Sequence, residues 1–121
     1  MKDIPVSVPY QLPGIDIAFG LKQCLGKQDL FQGLLQKFWQ DYGNAADKLG
    51  SLSGYKEERQ RLLHTLLGVS RNLGLSGIST LCQELRKDLD TFDNLTFDQI
   101  ERLGKELEKV GNSINTLDSF S

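Results

Sequence analysis

The segment RLLHTLLGVSRNLGLSG, residues 61–77, carries the pattern that decides the fold. Its apolar residues recur at intervals of three and four, which is the spacing of one buried face of an α-helix. A helix turns about 100° per residue, so the residues within roughly 60° of Leu66 form that buried face. They are Leu62, Leu63, Leu66, Val69, Ser70 and Leu73. The segment predicts an amphipathic helix that ends at Gly74.

His64, the only histidine of the chain, lies on the opposite side of this helix. It is about 160° from Leu66 and so points almost straight outward. The same outer strip holds Gln60, Gly68 and Arg71, with Leu67 at its edge. The pattern therefore predicts an exposed imidazole and not a core histidine.

Gly68 is the second unusual feature of this helix, because glycine inside a helix costs about 1 kcal/mol relative to alanine. Residues i and i+4 share a helix face, so Gly68 clears the space beside the His64 ring. The outer strip contains no serine or cysteine nucleophile that His64 could activate as a general base. Companions for a metal site are also missing. An exposed imidazole next to a bare backbone favours a nucleophile that a partner protein approaches closely.

The rest of the chain predicts an all-α fold. After Pro13 no proline interrupts the sequence, and β-branched residues never alternate with polar ones over a strand length. Five helices are expected, over about 16–25, 28–49, 55–73, 75–90 and from Thr96 onward, where Thr96 and Gln99 form a capping box. Four long helices joined by short turns favour an antiparallel up-down-up-down four-helix bundle, with the short first helix at one end. Residues 1–13 are predicted to be an extended lead-in and residues 14–121 the bundle domain.

Composition excludes several functions. The net charge is -2 and no long basic tract occurs, so a nucleic-acid partner has no electrostatic support. The apolar runs are too short for a transmembrane helix, and the N-terminus lacks the apolar core of a signal peptide. We therefore expect a cytoplasmic protein without direct membrane insertion. Cys24 and Cys82 are expected to be reduced, buried thiols, and no metal ligands accompany them.

The run HTLLGVSRNLGLSGISTLCQEL resembles the signature of histidine-containing phosphotransfer (Hpt) domains, in which a histidine is followed by a lysine at three residues, a glycine at four and a small residue near ten. His64, Gly68 and Gly74 match this signature. The upstream stretch PGIDIAFGLKQCLGKQDLFQGLLQKFWQDY is similar to the lead-in of Hpt domains at the C-termini of hybrid sensor histidine kinases. The resemblance covers roughly residues 13–118.

The resemblance implies that His64 accepts a phosphoryl group from the aspartate of a response-regulator receiver domain and passes it to another receiver. It implies no kinase activity and no cofactor in this chain, because the Mg²⁺ belongs to the receiver. It also implies a monomer. Whether the chain stands alone or is part of a larger sensor kinase tethered to the inner membrane stays open. The alternative is a degenerate Hpt-like module that binds a receiver without carrying phosphate.

Two departures from the family pattern bear on the site. Leu67 stands where the family has the lysine, and leucine cannot steady phosphoryl oxygens. Arg71 stands seven residues after the histidine, where the family usually has a small residue. It lies within about 20° of His64 around the helix and is predicted to replace that cation, although a solvated surface arginine fits equally well. The position that orients the imidazole from the next helix aligns near Arg86, with Gln83 and Glu84 close by. Which of these three contacts His64 stays open.

The docking face for the receiver is expected to include Gln60, Gly68 and an apolar rim. Leu67 is predicted on that rim, with Phe38 or Trp39 nearby. For Phe38 a core position is the more favoured interpretation. The final helix, FDQIERLGKELEKV, is interpreted as a solvated face.

Overall fold

The computed structural model describes residues 12–118, and these form six α-helices. They are α1 (Ile17–Gln23), α2 (Gln28–Tyr42), α3 (Ala45–Ser51), α4 (Lys56–Asn72), α5 (Ser76–Phe92) and α6 (Phe97–Asp118). Within this range no strand is present, only an isolated bridge between Leu12 and Ile15. The all-α prediction is therefore confirmed. Most of the predicted lead-in, residues 1–11, lies outside the described residues.

Helix ends follow from local side-chain chemistry. The Asp16 carboxylate accepts a hydrogen bond from the backbone N–H of Phe19 and caps α1. At α6 the expected capping box is present: Thr96 N donates to Gln99 Oε1 at 2.7 Å, and Gln99 N donates to Thr96 Oγ1 at 3.1 Å. Helix α4 ends just before Gly74, whose φ of +78° favours glycine. The sequence thus located these ends correctly.

The helix predicted over residues 28–49 is wrong in one respect, because it is broken at Gly43 and Asn44 into α2 and α3. Glycine and asparagine are poor helix formers and good turn formers. The break was hidden because Phe38, Ala45 and Leu49 keep helical spacing across it, and all three are buried. Helices α2 and α3 therefore supply one apolar face that continues across the break.

The long helices pack side by side around one core. Helix α4 runs antiparallel to α5, since the start of α4 is hydrogen-bonded to the end of α5 through Lys56 and Asp93. Helix α6 is likewise antiparallel to α5, since Gln99 near the start of α6 is hydrogen-bonded to Asp88 near the end of α5. Helices α2 and α3 both pack against α6. The largest fully buried side chains are Phe31, Leu35, Phe38, Leu49, Leu63, Leu66, Leu75, Ile78, Leu85, Leu89, Leu103 and Leu107.

Arg59 of α4 is buried at the junction of three elements, which the sequence pattern did not predict. Its Nε donates to the Leu49 carbonyl at the end of α3 at 3.0 Å, and its Nη1 donates to Asn94 Oδ1 in the turn before α6 at 3.4 Å. Burial lowers the pKa of this guanidinium from its usual value. The carbonyls at a helix C-terminus attract a cation, so Arg59 ties the end of α3 to α4.

Among residues 12–118, no helix is both long and apolar enough to cross a membrane.

Candidate functional site

His64 lies near the middle of α4 on its outward face, and its side chain is exposed. The buried residues of α4 include Leu63, Leu66 and Ser70, on the other side of the helix. Within residues 12–118 the imidazole forms no hydrogen bond or ion pair. The ring is therefore open to a partner, with no internal bond to break first.

The space beside His64 is also open. Gly68 is exposed, and a Cβ built on it would meet no atom within 4 Å. Helix α4 continues through Gly68 to Asn72, so this glycine neither ends the helix nor relieves crowding inside the protein. Gly74 differs, because a Cβ there would lie 2.6 Å from the Asp16 carbonyl oxygen. Packing explains Gly74, whereas nothing within the described chain requires Gly68.

A hydrogen-bonded network joins α4 to α5 one turn before His64. Gln60 Nε2 donates to the Arg86 carbonyl and to Asp90 Oδ1, both at 3.0 Å. Arg86 Nε donates back to Gln60 Oε1 at 3.3 Å. The two helices are antiparallel, and His64 follows Gln60 by four residues just as Arg86 precedes Asp90 by four. This register places Arg86 at the level of the α4 turn that runs from Gln60 to His64.

Arg86 retains free hydrogen-bonding capacity in this position. Its side chain is half-buried, and only its Nε is engaged by Gln60. Its Nη1 and Nη2 make no hydrogen bond within residues 12–118, and these nitrogens form a planar fork suited to oxyanions. Gln60 thus holds the guanidinium on the α4 side of α5. The sequence named both residues but did not predict that they bind each other.

Arg71 is exposed on the same strip as His64, two turns later. Within the part of the chain that the structure describes, it forms no ion pair. Gln83 is exposed on α5 one turn before Arg86. Glu84 instead points toward α6, where its Oε1 lies 3.8 Å from Nη2 of Arg102. Of the residues aligned with the family's orienting position, Arg86 and Gln83 therefore remain on the α4 side.

The prediction that Leu67 lies on an exposed rim is wrong, because Leu67 is only 7% exposed and belongs to the core. It follows Gln60 by two turns and so faces α5, as Gln60 does. Ser70 and Ser79 are both buried on this side, and each hydroxyl is satisfied by a carbonyl of its own helix. Such small side chains let the two helices approach closely enough to cover Leu67.

Trp39 is also displaced from its predicted position. Its ring covers Gly111 of α6, where a Cβ would come within 2.6 Å of the indole. Around α2, Trp39 is about 140° from Leu34, which faces α4. The structure therefore does not bring Trp39 and His64 together. Phe38 is buried, as the favoured interpretation held.

An apolar surface on α2 was missed from the sequence. Leu30 and Leu34 are 48% and 40% exposed, although they belong to an apolar pattern with the three-and-four spacing of a buried helix face. Leu34 lines a groove between α2 and α4 together with Val69 and Asn72 of α4. The doubled apolar pairs Leu30/Phe31 and Leu34/Leu35 were the available signal, since a stripe two residues wide exceeds what one core face needs.

The cysteines and acidic residues form no metal centre in the described range. Cys24 and Cys82 are both buried and unpaired, and burial raises the pKa of the Cys82 thiol to about 12. Residues 12–118 contain no group of three or more histidine, cysteine, aspartate or glutamate side chains placed to hold a metal ion.

In a comparison with known families, the family model described as Hpt domain matches residues 33–117. The matched region includes His64, Gly68 and Gly74. Searches of curated proteins and of solved structures found no match.

Proposed function

We propose that His64 is the phosphoryl acceptor of this chain, which belongs to the Hpt domain family of phosphorelay phosphotransfer domains. The donor is the phosphorylated aspartate of a response-regulator receiver domain, and a second receiver takes the phosphoryl group onward. One observation carries the proposal: the single histidine is exposed, unbonded within residues 12–118, and placed beside an open glycine. For the bundle, we propose an up-down-up-down arrangement in which α2 and α3 together form one arm.

The transfer step needs little from the chain itself. A nitrogen of the neutral imidazole attacks phosphorus, the P–O bond to the aspartate breaks, and the carboxylate leaves with the electron pair. The product is phosphohistidine, and its other ring nitrogen carries the proton. Reversal on a second receiver restores the free ring. We propose that the required Mg²⁺ is bound by the receiver, so that this chain supplies the nucleophile, cations and a docking surface.

We propose Arg86 and Arg71 as the groups that replace the family's lysine. The free Nη1 and Nη2 of Arg86, and its position beside the α4 turn that runs from Gln60 to His64, support a role in binding phosphoryl oxygens. Arg71 is exposed on the His64 strip and can approach from the other end. Gln60 is then a positioning residue, because it holds Arg86 through Nε. Gln83 remains a candidate for orienting the imidazole.

The receiver is proposed to dock on α4 and the adjoining part of α2. Gly68 allows close approach to the ring, and Leu30 and Leu34 supply exposed apolar area on the neighbouring helix. Apolar area surrounded by polar side chains is typical of a protein interface. A monomeric state, a cytoplasmic location and attachment to a larger sensor kinase are part of the same proposal.

The test is phosphoryl transfer from a phosphorylated receiver domain to this protein and to His64→Gln. The wild type is expected to acquire acid-labile, base-stable phosphate, and His64→Gln none. The transfer rates of Arg86→Ala and Arg71→Ala are compared with that of Arg61→Ala, because Arg61 is an exposed arginine of α4. A loss of about tenfold or more in transfer rate, confined to one of the first two, identifies the stand-in cation. Receiver binding without any phosphate on His64 contradicts the proposal and leaves a docking module.

A further inference from the structure

A second surface of the protein lies between α3 and α6, away from the outward face of α4. Ala46 of α3 and Ile100 and Gly104 of α6 contribute to a groove there, and Phe97 also lines it. Ala46 and Gly104 are small, and a Cβ on Gly104 would reach only Ala46, at 3.5 Å. The small residues therefore leave room for a side chain from another molecule.

Phe97 is the most exposed aromatic residue of this groove, at 77% exposure. It occupies the first turn of α6, where the capping is done by Thr96 and Gln99 and needs no phenylalanine. A large apolar side chain this exposed contributes little to the core. Phe97 and the half-buried Ile100 together expose apolar area next to an open groove, which is a feature of interaction sites.

The charge around the groove is predominantly negative. Asp47, Glu101 and Glu108 line it and are exposed, while Lys105 is its single basic lining residue. None of the three carboxylates forms an ion pair within residues 12–118. Glu101 and Glu108 are two turns apart on α6 and so share a face with Phe97. A second copy of this chain would bring the same negative charges together and is disfavoured.

We propose that the α3–α6 groove binds a basic amphipathic helix of a partner protein. An apolar side chain of that helix packs on Phe97 and Ile100 above Gly104, and its lysine or arginine residues pair with Glu101, Glu108 and Asp47. Helices commonly bind in such grooves through apolar residues at helical spacing, while complementary charge selects the partner. The groove is formed by α3 and α6, so His64 on α4 stays free to exchange phosphate while the groove is occupied.

The probe is a synthetic amphipathic helical peptide with leucines on one face and lysines on the other. Its control has glutamates in place of the lysines. Titration of the isotope-labelled protein, followed by amide NMR, is expected to shift the signals of Ala46, Phe97, Ile100 and Gly104. The lysine peptide is expected to bind at least about tenfold more tightly than the glutamate peptide, and more weakly as salt is raised.

Matched variants distinguish binding in this groove from nonspecific binding elsewhere on the protein. Phe97→Ala and Glu101→Lys are each expected to weaken binding of the lysine peptide about tenfold. Phe92→Ala and Glu57→Lys change a similarly exposed phenylalanine and an exposed glutamate on other helices, and they are expected to leave binding unchanged. Circular dichroism checks that each variant is folded.

Three results of the peptide titrations would overturn the proposal. They are no shift at the groove, equal binding of the two peptides, and equal loss in Phe92→Ala and Phe97→Ala. Sedimentation that shows a dimer of the free protein, lost in Phe97→Ala, would assign the groove to a second copy instead. None of these measurements depends on phosphate at His64, so phosphotransfer can fail or succeed independently.

Discussion

Two glycines inside long helices, Gly68 of α4 and Gly111 of α6, have opposite surroundings. A Cβ on Gly111 would lie 2.6–2.8 Å from three atoms of the Trp39 ring, whereas a Cβ on Gly68 would meet nothing within 4 Å. Both glycines weaken their helices by a similar amount. The cost at Gly111 is offset by packing within the protein, while the cost at Gly68 is offset by nothing within residues 12–118. An unexplained helix glycine next to the only histidine therefore points to an external partner.

The largest effect is expected for Leu67→Ala, which tests where the covered side of α4 begins. Because Leu67 is 7% exposed, removing its side chain leaves a cavity between α4 and α5 and costs about 2–5 kcal/mol of unfolding free energy. Chemical denaturation measures this loss. A loss of unfolding free energy below about 0.5 kcal/mol would mean that Leu67 lies on the exposed rim after all.

Gly111→Ala is expected to destabilise the protein by about 1–3 kcal/mol, because the new methyl group overlaps the Trp39 ring. The same substitution in a Trp39→Leu background removes the overlapping ring. A double-mutant cycle should then show that the two changes are not additive. Additive effects would mean that Trp39 is not the reason for Gly111.

Gly68→Ala is expected to have the opposite sign, with a gain of up to about 1 kcal/mol from helix propensity. Phosphoryl transfer to His64 should become slower, since the methyl group occupies the space that the receiver needs. Gly50→Ala is the matched control, because Gly50 of α3 is another helix glycine with no atom within 4 Å of a built Cβ, and it lies outside the proposed docking surface. It should gain similar stability without slower transfer. Equal transfer rates in the two variants would remove the functional reason for Gly68.

The smallest change in stability, below about 1 kcal/mol, is expected for Leu30→Gln, because Leu30 is 48% exposed and glutamine is a good helix former. Affinity for the phosphorylated receiver, measured by titration calorimetry, should nevertheless fall. Comparison of Leu67→Ala with Leu30→Gln thus distinguishes a leucine that stabilises the core from one that contacts the receiver. A large loss of stability with unchanged affinity would place Leu30 in the core.

The sequence by itself determined the helical class, most helix ends and the outward direction of His64. These depend on local interactions, namely apolar periodicity, the Thr96–Gln99 capping box and the positive φ of Gly74. The break at Gly43 and Asn44 was missed because the apolar spacing continues across it. Burial at the edge of a stripe was also missed, because helix phase alone does not say how near the next helix lies.

Only the tertiary structure decided which neighbours of His64 are available to a partner. Close packing of α4 on α5 covers Leu67, and the antiparallel register brings Arg86 to Gln60. Packing of α2 on α6 turns Trp39 toward Gly111 and leaves Leu30 exposed. Periodicity along one helix fixes the direction of a side chain, but the distance to a second helix depends on residues far away in sequence. For that reason the local sequence determines the direction of the His64 side chain, whereas the assembled bundle determines which residues surround it.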